Sequence, residues 1–582
     1  MSNNIVKALS GRDCINVSIE DNGRSPVNII TTDINAIHSF INAKIIKNPY
    51  IYGNKCIFAS PMNNPKTNNK SITMTEVAAL FQVSSSTIHN WIKEGLLTLD
   101  EERHVTAKSL REFQKQHAGK HKLHARANKL QKDKHDAIEV GRAIQLELNA
   151  NAFDHTIGKR YEAMLSESYK NKEGITYTPQ TIVDDMTRGL TIDKATLFLD
   201  PCCGTGNFLV RAIELGVSPD RVYGFDTDPN AVAIARRRIQ EMTGIEPQHV
   251  VCADFLKEGH RLKMQFDLVF TNPPWGKKLP KKERNAYVKR YQAGSSSDTS
   301  SLFLFAILSV LKPEGVLGLL MPESFFKIAV YEDARKAVLD KTILQIKDYG
   351  KVFMNMYSAV SILVANKAFA EKHPVCCCLN GKTYHRSQQS FLSVPRYNLN
   401  YWANAKEMDV VEQLKRQPHL TLKGHAAWGL GIVTGNNAEI CKRSRRLGLK
   451  PVYRGKDILP GRLSAAQLYI DPNDFPRCQQ LSPMWMFQAP EKLVYRFISS
   501  ELVFYCDTHQ RYFLNSANML VLDEDFPLPA RQLARIMNSP LTNWLFKQLF
   551  NTHKVLKSDL ELLPIFTDLS LHRRFNLLDL DR

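Results

Sequence analysis

The sequence predicts an α/β protein centred on a doubly wound, mainly parallel sheet of seven strands. Two observations support this fold: strand and helix patterns alternate from residue 194 to about residue 366, and a glycine-rich turn follows the first strand. The expected strands span residues 196–199, 221–225, 249–253, 266–270, 316–321, 343–349 and 358–364. Sheets of this kind bind ligands at the carboxyl ends of their strands, so the residues after each strand are the first functional candidates.

The chain of 582 residues exceeds what one hydrophobic core serves, and about three or four units are expected. Residues 1–70 have no assigned role. The other predicted divisions are a helix-turn-helix module at 71–118, a basic helical connector at 119–170, the α/β domain at 171–370, a second connector at 371–424 and a C-terminal domain at 425–582.

The charge balance is strongly basic, because lysine and arginine outnumber aspartate and glutamate by 77 to 58 and the formal charge is +19. Nucleic acid is the first candidate for a polyanionic partner, and an anionic membrane surface is the second. The longest apolar stretches, such as 301–311, are shorter than the ~18 residues of a membrane span. Residues 1–12 lack the apolar core of a signal peptide, so we expect a cytoplasmic protein without a membrane partner.

The 11 cysteines show no paired CxxC spacing, and the three at 376–378 are adjacent in a β-like segment. A contiguous run is poorly arranged to clamp a tetrahedral metal. We therefore expect reduced, mostly buried thiols and no metal site.

Residues 71–99 contain two short helical patterns separated by a serine-rich turn. Their apolar positions recur at helical spacing and are Val77, Leu80, Phe81, Ile88, Trp91 and Ile92. The pattern resembles the helix-turn-helix of MerR-type and excisionase-type DNA-binding domains, whose second helix enters the major groove. A helical hairpin packed on the next domain is the alternative. The face expected to meet DNA carries Ser85, Ser86, His89, Asn90 and Lys93.

The first three strand ends of the predicted sheet suit a nucleoside. Glycines after the first strand let the backbone approach a ligand closely. A carboxylate after the second strand suits ribose hydroxyls, and an acid followed by an aromatic residue after the third suits a base. Neither a Walker lysine nor a GxGxxG sequence is present, so phosphate-bearing cofactors fit less well. The predicted cofactor contacts are Asp200, Gly204, Gly206, Asp226, Asp254 and Phe255.

The fourth predicted strand ends in Asn272, Pro273, Pro274 and Trp275. The prolines stiffen the loop, and the Asn272 side-chain carbonyl and the Pro273 backbone carbonyl can both accept hydrogens from one amine. Two such acceptors would localise the lone pair of an aromatic amine for attack on a sulfonium methyl. Trp275 can stack on a base that has left the duplex. The tetrapeptide therefore predicts direct methyl transfer to a planar amine.

At these residues the chain resembles the class I S-adenosylmethionine-dependent methyltransferases, specifically the gamma-class, TaqI-like DNA N6-adenine methyltransferases of restriction-modification systems. The resemblance implies a Rossmann-like core, S-adenosyl-L-methionine as cofactor, double-stranded DNA with a flipped adenine as substrate, and a separate cognate endonuclease acting on the same site. It places Tyr177, Thr178 and Pro179 near the methionine end of the cofactor. It also places Phe353 and Trp275 on opposite faces of the base, with Asn272 bordering the cofactor.

Two features of the sequence depart from the family pattern. Tyrosine or phenylalanine is usual where this chain has Trp275, which leaves the N4 amine of cytosine open as a target. Cys202 and Cys203 are an uncommon pair in the glycine loop, and we interpret them as packed thiols.

Other function classes share parts of this pattern. An RNA or protein amine methyltransferase is the nearest enzyme alternative, because a similar tetrapeptide serves those amines. A DNA-binding regulator with a silent methyltransferase fold is the alternative without activity. Intact Asp226, Asp254 and Asn272 argue against a silent fold.

Three C-terminal segments, 431–437, 451–458 and 514–518, resemble the TaqI-like target-recognition domain. Residues 440–462 carry eight basic residues against one acid, and residues 277–290 carry seven against one. Phosphate contacts on both sides of the target base are the functional interpretation, and a solvated basic face is the alternative. The predicted DNA contacts here are Lys277, Lys278, Arg443, Arg445, Arg446, Arg454 and Lys456.

Overall fold

The computed structural model describes residues 7–11, 14–21, 24–31, 72–81, 88–89, 91–92, 96–117, 137–148, 154, 156–262, 265–353, 358–370 and 372–575. The chain divides into two compact units, residues 1–123 and residues 124–582. Within the described ranges, no helix has the length and apolar character needed to cross a membrane.

The first unit begins with an antiparallel sheet. Its three strands are β1 (Lys7–Gly11), β2 (Cys14–Asp21) and β3 (Arg24–Thr31). β2 lies between the other two and pairs antiparallel with both.

A small helical module occupies residues 72–117 of the same unit. Its helical residues are Met74–Leu80, 88–89, 91–92 and Ala107–His117. Val77, Ile88 and Trp91, three of the positions chosen by helical spacing, are buried with Phe113 in its core. Leu80 was expected on the same face but is 55% exposed, because the first helix ends at this residue.

The second unit contains one large sheet. Its strands are β4 (Phe198–Asp200), β5 (Val222–Asp226), β6 (Val250–Cys252), β7 (Phe266–Thr271), β8 (Leu311–Pro322), β9 (Thr342–Asp348), β10 (Ala359–Ala365), β11 (Pro374–Leu379) and β12 (Lys382–Ser387). Their order is β12-β11-β9-β10-β8-β7-β4-β5-β6. β10 and β12 pair antiparallel with their neighbours, and the remaining neighbouring pairs are parallel.

The prediction of a large, mostly parallel sheet is confirmed, and each predicted strand is present. The sheet has nine strands rather than seven. The two additional strands form a hairpin whose first strand, β11, pairs parallel with β9. The hairpin falls in the region predicted as a connector. It was not predicted as part of the sheet because no helical pattern separates its two strands.

Helices cover both faces of the sheet, as a doubly wound fold requires. Neighbouring residues of β4 show this directly, since Phe198 and Leu199 belong to hydrophobic clusters on opposite faces. The Phe198 side packs against helices Gln180–Met186, Asn207–Glu214 and Pro229–Thr243. The Leu199 side packs against Phe255–Glu258, Lys281–Tyr291, Thr299–Leu308 and Glu332–Leu339.

A further helical layer covers the side of helix Pro229–Thr243 that faces away from the sheet. It consists of helical residues 137–148 and helices Ile157–Met164 and Glu167–Glu173. Its core joins Ile144 and Tyr161 to Ile234 of the covered helix.

The C-terminal part of the second unit combines small sheets with helices. Its strands are β13 (Ala426–Leu430), β14 (Lys450–Tyr453), β15 (Ile458–Leu459), β16 (Arg462–Leu463), β17 (Leu468–Ile470), β18 (Lys492–Arg496), β19 (Phe504–Asp507), β20 (Tyr512–Phe513) and β21 (Ala517–Leu522). They form sheets β13-β21-β18-β19, β17-β14-β20 and β15-β16. The helices are Gln389–Leu392, Ala405–Lys415, Asn437–Ile440, Met484–Gln488, Ala530–Met537, Pro540–Leu549, Lys557–Leu560 and Leu569–Phe575.

Residues 371–424, predicted as a connector, are part of the packed structure. Their first strands join the large sheet, while Met408 and Val411 of helix Ala405–Lys415 share a core with Leu545. Arg396 also pairs with Asp559 across 2.9 Å. This region therefore fixes the C-terminal part to the large sheet.

Candidate active site

A cavity of about 590 Å³ opens at the carboxyl ends of the parallel strands. β4, β5 and β7 end in polar residues at this edge, and parallel pairing brings those ends together. The predicted residues that line the cavity are Tyr177, Thr178, Asp200, Gly204, Asp226, Asp254, Phe255, Asn272, Pro274 and Lys277. Residues chosen from separate strand ends thus share one cavity.

A hydrogen bond between Gly204 and Asp226 joins the turn after β4 to the end of β5. Gly204 has a positive φ of 49°, which glycine adopts at little cost, and its backbone N–H donates to Asp226 Oδ2 over 2.8 Å. Asp226 Oδ1 accepts from the backbone N–H of Asp228 over 2.9 Å. Burial raises the pKa of Asp226. Each carboxylate oxygen keeps a further acceptor position for a ligand hydroxyl.

Gly206 has a different role from the one predicted. It lies just before helix Asn207–Glu214 with φ of 86°, and a side-chain carbon there would lie 2.9 Å from Ala235 Cβ. Its small size therefore lets two helices approach each other, and it is not among the residues lining the cavity. Pro179 also lies off the cavity and precedes helix Gln180–Met186 as its capping residue.

Asp200 connects the ends of the first and fourth strands. Its Oδ1 accepts from Thr271 Oγ1 over 2.7 Å and from the backbone N–H of Cys202 over 3.0 Å. Burial raises the pKa of Asp200 to about 7, against the lowering effect of these hydrogen bonds. Asp200 thus holds the edge of the cavity in shape as well as lining it.

Two thiols lie in the same turn. Cys202 and Cys203 both line the cavity, and burial raises the pKa of each well above its ordinary value. Nine cysteines have side chains that the structure describes; all nine are unpaired, and three of them are buried. The expectation of mostly buried thiols is therefore wrong for this part of the chain.

Asn272 is held with its carbonyl oxygen free. Its Nδ2 donates to the backbone carbonyl of Thr176 over 2.7 Å. Its Oδ1 is buried, and no donor among the described residues reaches it. The bond to Thr176 fixes which end of the amide points into the site, so an acceptor is left for an external donor.

Trp275 and Phe353 contact each other instead of facing across a gap. Their ring centroids are 5.4 Å apart and their planes are inclined by 80°. Trp275 Nε1 also donates to the Leu320 carbonyl over 3.3 Å, which directs the ring toward the sheet. A base between two parallel rings would hold them about 7 Å apart, twice the contact distance of carbon atoms. Neither ring lines the cavity, nor does Pro273.

Several cavity residues were not predicted. Tyr161 lines the cavity and its hydroxyl donates to Asp228 Oδ2 over 2.5 Å. Ala137, Ile138 and Tyr169 also line it. The helical spacing of Ile157, Tyr161 and Leu165 was a signal for a buried helix face at this position.

The predicted DNA contacts near the cavity differ in their availability. Lys278 is exposed. Lys277 lines the cavity and its Nζ lies 3.2 Å from a Glu173 carboxylate oxygen.

In the first unit, His89 is exposed. The remaining predicted contacts of that unit, Ser85, Ser86, Asn90 and Lys93, lie outside the described residues.

Arg454 differs from the other C-terminal candidates because its guanidinium has an internal partner. Its Nε and Nη2 each donate to a carboxylate oxygen of Asp457 over 2.9 Å, and Nη2 also donates to Gln467 Oε1. Two of the three guanidinium nitrogens are therefore used within the protein, and contact of Arg454 with DNA stays a prediction. The exposed candidates of this region are Arg443, Arg445, Arg446 and Lys456.

The three C-terminal segments singled out in the sequence meet in space. The backbone N–H of Gly455 donates to Ser516 Oγ over 2.8 Å. A side-chain carbon at Gly431 would lie 2.2 Å from the Leu514 carbonyl oxygen, so only glycine fits there. A side-chain carbon at Gly455 would likewise lie 2.1 Å from the Ser516 carbonyl oxygen, so close backbone contact explains both glycines.

Comparison with known proteins agrees with this architecture. A family model described as N-6 DNA Methylase matches residues 152–409, and one described as TaqI-like C-terminal specificity domain matches residues 450–565. The type II methyltransferase M.VspI of Vibrio sp. (strain 343) is 40% identical over 392 residues, which cover 67% of this chain and 96% of that protein. The modification methylase CviBIII of Paramecium bursaria Chlorella virus NC1A is 26% identical over 192 residues, 32% of this chain and 48% of that protein.

A solved structure shows the same fold. The DrdV–DNA complex determined by cryo-electron microscopy has a TM-score of 0.50 at 14% identity, covering 87% of this chain and 65% of that chain. The family match and the extensive identity with M.VspI confirm the predicted methyltransferase class and the predicted adenine target. The chain belongs to the N-6 DNA methylase family and is an adenine-specific DNA methyltransferase of the restriction-modification type.

Proposed function

We propose that the enzyme transfers a methyl group from S-adenosylmethionine to N6 of an adenine rotated out of duplex DNA. The state of Asn272 is the observation that carries this proposal. Its amide nitrogen is bound to the Thr176 carbonyl, while its buried amide oxygen meets no donor in the described part of the chain. A buried polar atom without a partner costs about 1–3 kcal/mol, and the N6 amine of adenine supplies the missing donor.

The charge of the cavity suits a cationic nucleoside cofactor. Its charged lining residues are one lysine, Lys277, and the acids Glu173, Asp200, Asp226, Asp228 and Asp254. The lysine is already paired with an acid, so nothing in this lining favours phosphate. S-adenosylmethionine has a sulfonium charge and no phosphate, and when bound it supplies an electrophilic methyl group.

Each cofactor group has a matching position in the cavity. We assign the ribose hydroxyls to Asp226 and the adenine ring to Asp254 and Phe255. The methionine end is assigned to Tyr177 and Thr178, which border Asn272 in the same cavity. Pro179 supports this segment from the start of the next helix.

Asn272 and Pro273 supply the two acceptors that bind the hydrogens of the target amine. Asn272 Oδ1 and the Pro273 backbone carbonyl accept the two N6 hydrogens, which draws the nitrogen toward tetrahedral geometry and localises its lone pair. The nitrogen would then attack the methyl carbon as the bond from that carbon to sulfur breaks, so that S-adenosylhomocysteine leaves and one N6 hydrogen passes to solvent as a proton. No residue of the chain forms a covalent intermediate. Trp275 and Phe353 separate from their edge contact to take the base between them.

DNA would be held by exposed basic residues of the segment after the tetrapeptide and of the C-terminal part. These are Lys278, Arg443, Arg445, Arg446 and Lys456. We also propose that the helix-turn-helix module of the first unit binds DNA, with His89 on its exposed side. Because the family serves restriction-modification, a separate endonuclease acting on the same site is part of this proposal.

Product analysis tests the proposed reaction. Unmethylated plasmid DNA treated with enzyme and S-adenosylmethionine, then digested to nucleosides, is expected to contain N6-methyladenine and no N4-methylcytosine by mass spectrometry. RNA and protein acceptors in parallel reactions are expected to gain no methyl group. Methylation of RNA or protein without methylation of DNA would overturn the proposal.

Base rotation has its own test. After sequencing has located the modified adenine, 2-aminopurine at that position in a duplex is expected to fluoresce more strongly when the enzyme binds, because it leaves the stack. A duplex with 2-aminopurine at a neighbouring position is the control. Binding without a rise at the target position contradicts rotation of the base.

A further inference from the structure

One wall of the cavity comes from a helix outside the matched family domain. Residues 137–148 are helical, whereas the N-6 DNA methylase model begins at residue 152. Ala137 and Ile138 of this helix line the cavity beside Tyr161. The geometry points to residues 137–148, hereafter the cap helix, as a further part of the cofactor site. This inference rests on the proposed function and adds residues to it.

The cap helix is fixed to the catalytic core by contacts along its length. Ile144 is buried in a cluster with Tyr161 and Ile234. Glu147 pairs with Arg160 across 2.5 Å. An apolar contact and an ion pair therefore hold the helix against the helical layer next to the cavity.

The cap helix also contacts the first turn of helix Pro229–Thr243, the helix that follows β5. Gln145 Nε2 donates to Asn230 Oδ1 over 3.0 Å. Gly141 passes so close to the same side chain that a side-chain carbon there would lie 2.6 Å from Asn230 Nδ2. Asn230 stands four residues after Asp226, the acid assigned to the ribose. The cap helix thus lies at the nucleoside end of the cavity.

Ile138 provides an uncovered apolar surface at this position. Its side chain is 57% exposed although it lines the cavity. Cofactor sites are mostly apolar walls with a few placed polar groups, and this site otherwise presents many carboxylates. A bound nucleoside would bury the Ile138 side chain, and removing that contact is expected to weaken binding about 10-fold.

Two substitutions in the cap helix provide a matched test. Ile138→Asp changes a cavity residue, while Leu146→Asp makes the same kind of change at a residue of the same helix that is 76% exposed and does not line the cavity. Binding of S-adenosylhomocysteine is measured by calorimetry, with circular dichroism to confirm folding. We expect at least about 10-fold weaker binding for Ile138→Asp and binding within about twofold of wild type for Leu146→Asp.

A second measurement needs no substitution. Hydrogen exchange of the cap-helix amides in the wild-type enzyme is expected to slow when S-adenosylhomocysteine is added, because contact between the ligand and Ile138 stabilises the helix against local opening. Unchanged exchange, or equal affinities of the two variants, would overturn the role of the cap helix alone. Failure of the wild-type enzyme to bind S-adenosylhomocysteine would overturn the proposed function together with this inference.

Discussion

Asn272 and Arg454 occupy comparable places in two regions of the molecule, since each directly follows a strand, β7 and β14 respectively. Asn272 keeps one buried acceptor without a donor among the described residues, while Arg454 donates to Asp457 and Gln467. Both are polar loop residues that the sequence placed in the functional set. The comparison shows that position after a strand does not decide how a polar side chain is used: the buried Asn272 oxygen keeps an unused acceptor, whereas Arg454 forms an internal ion pair with Asp457.

The carboxyl groups of the two regions differ in the same way. Burial raises the pKa of Asp200 to about 7, and no cation in the described part of the chain forms an ion pair with it. Burial also acts to raise the pKa of Asp457, but the hydrogen bonds and charge of Arg454 lower it. One region therefore tolerates an unpaired carboxyl, and the other neutralises its carboxyl internally.

The largest expected effect is that of Asn272→Ala on the catalytic rate. Loss of the acceptor removes an interaction that strengthens as the amine becomes tetrahedral, and kcat is expected to fall about 1000-fold. Methyl transfer to DNA under single-turnover conditions measures this loss. Arg454→Ala is the control and is expected to keep kcat within about threefold when DNA is saturating, since Arg454 does not line the cavity. Comparable losses in both variants would break the comparison.

The next effect is a difference in pH dependence of stability. Between pH 5 and 7 the unfolded Asp200 carboxyl has lost its proton while the folded one retains it, so the free energy of unfolding falls as pH rises. Relative to Asp200→Asn, the wild-type protein is expected to lose on the order of 3 kcal/mol between pH 5 and 8. Urea denaturation across this range measures the difference.

Asp457→Asn is the matched control for that experiment. The lowered pKa of Asp457 makes its stabilising contribution present above the unfolded pKa and lost as pH falls. The wild-type protein should therefore gain stability over Asp457→Asn as pH rises from about 3 to 5. Parallel pH profiles for the two variants would contradict the contrast between the two carboxyls.

Arg454→Ala is expected to destabilise the protein moderately. It leaves the carboxylate of Asp457, which is buried, without its bidentate partner, and a loss of about 2 kcal/mol in the free energy of unfolding is expected. Chemical denaturation at pH 7 measures the loss. Lys456→Ala removes an exposed charge beside it and should leave stability unchanged. A stable Arg454→Ala protein with weakened DNA binding would restore Arg454 to the DNA surface.

The smallest effect is expected for single exposed arginines. Arg445→Ala should weaken DNA binding about threefold and reduce the slope of log affinity against log salt by about one, as for one lost phosphate contact. Fluorescence anisotropy at several salt concentrations measures both quantities. Arg477 is exposed but already paired with Asp474 and Glu439, so Arg477→Ala is the control. Equal salt slopes for both variants would remove Arg445 from the DNA surface.

Sequence reasoning was strongest where function depends on local order. Each candidate residue at a strand end lies directly after or close to its strand in the sequence, and the tetrapeptide from Asn272 is contiguous. The alternation of strands and helices was then enough to predict that these residues meet at one edge of the sheet. The role of Gly206 depends on Ala235, a residue 29 positions away, and no local pattern reveals that packing. The hairpin of β11 and β12 was missed because strands joined without a helix lack the alternating signal.

The internal ion pair of Arg454 with Asp457 was not predicted, for another reason. Asp457 stands three residues later, within reach of an internal pair, but counting basic residues treated each as available. Likewise, the cap helix was predicted only as part of a connector, because its contact with Asn230 joins positions 85 residues apart. The sequence patterns did not predict contacts between distant residues, such as Gln145 with Asn230, or ion pairs formed within a basic segment, such as Arg454 with Asp457.

The thiols of the glycine turn have a consequence for the survival of the enzyme. A site that stores an alkylating sulfonium must not offer it a nucleophile of its own, and sulfur reacts as the thiolate. Cys202 and Cys203 line the cavity, and burial raises the pKa of both thiols. The raised pKa favours the protonated thiols, which are poor nucleophiles, so neither cysteine is expected to be methylated by the proposed cofactor.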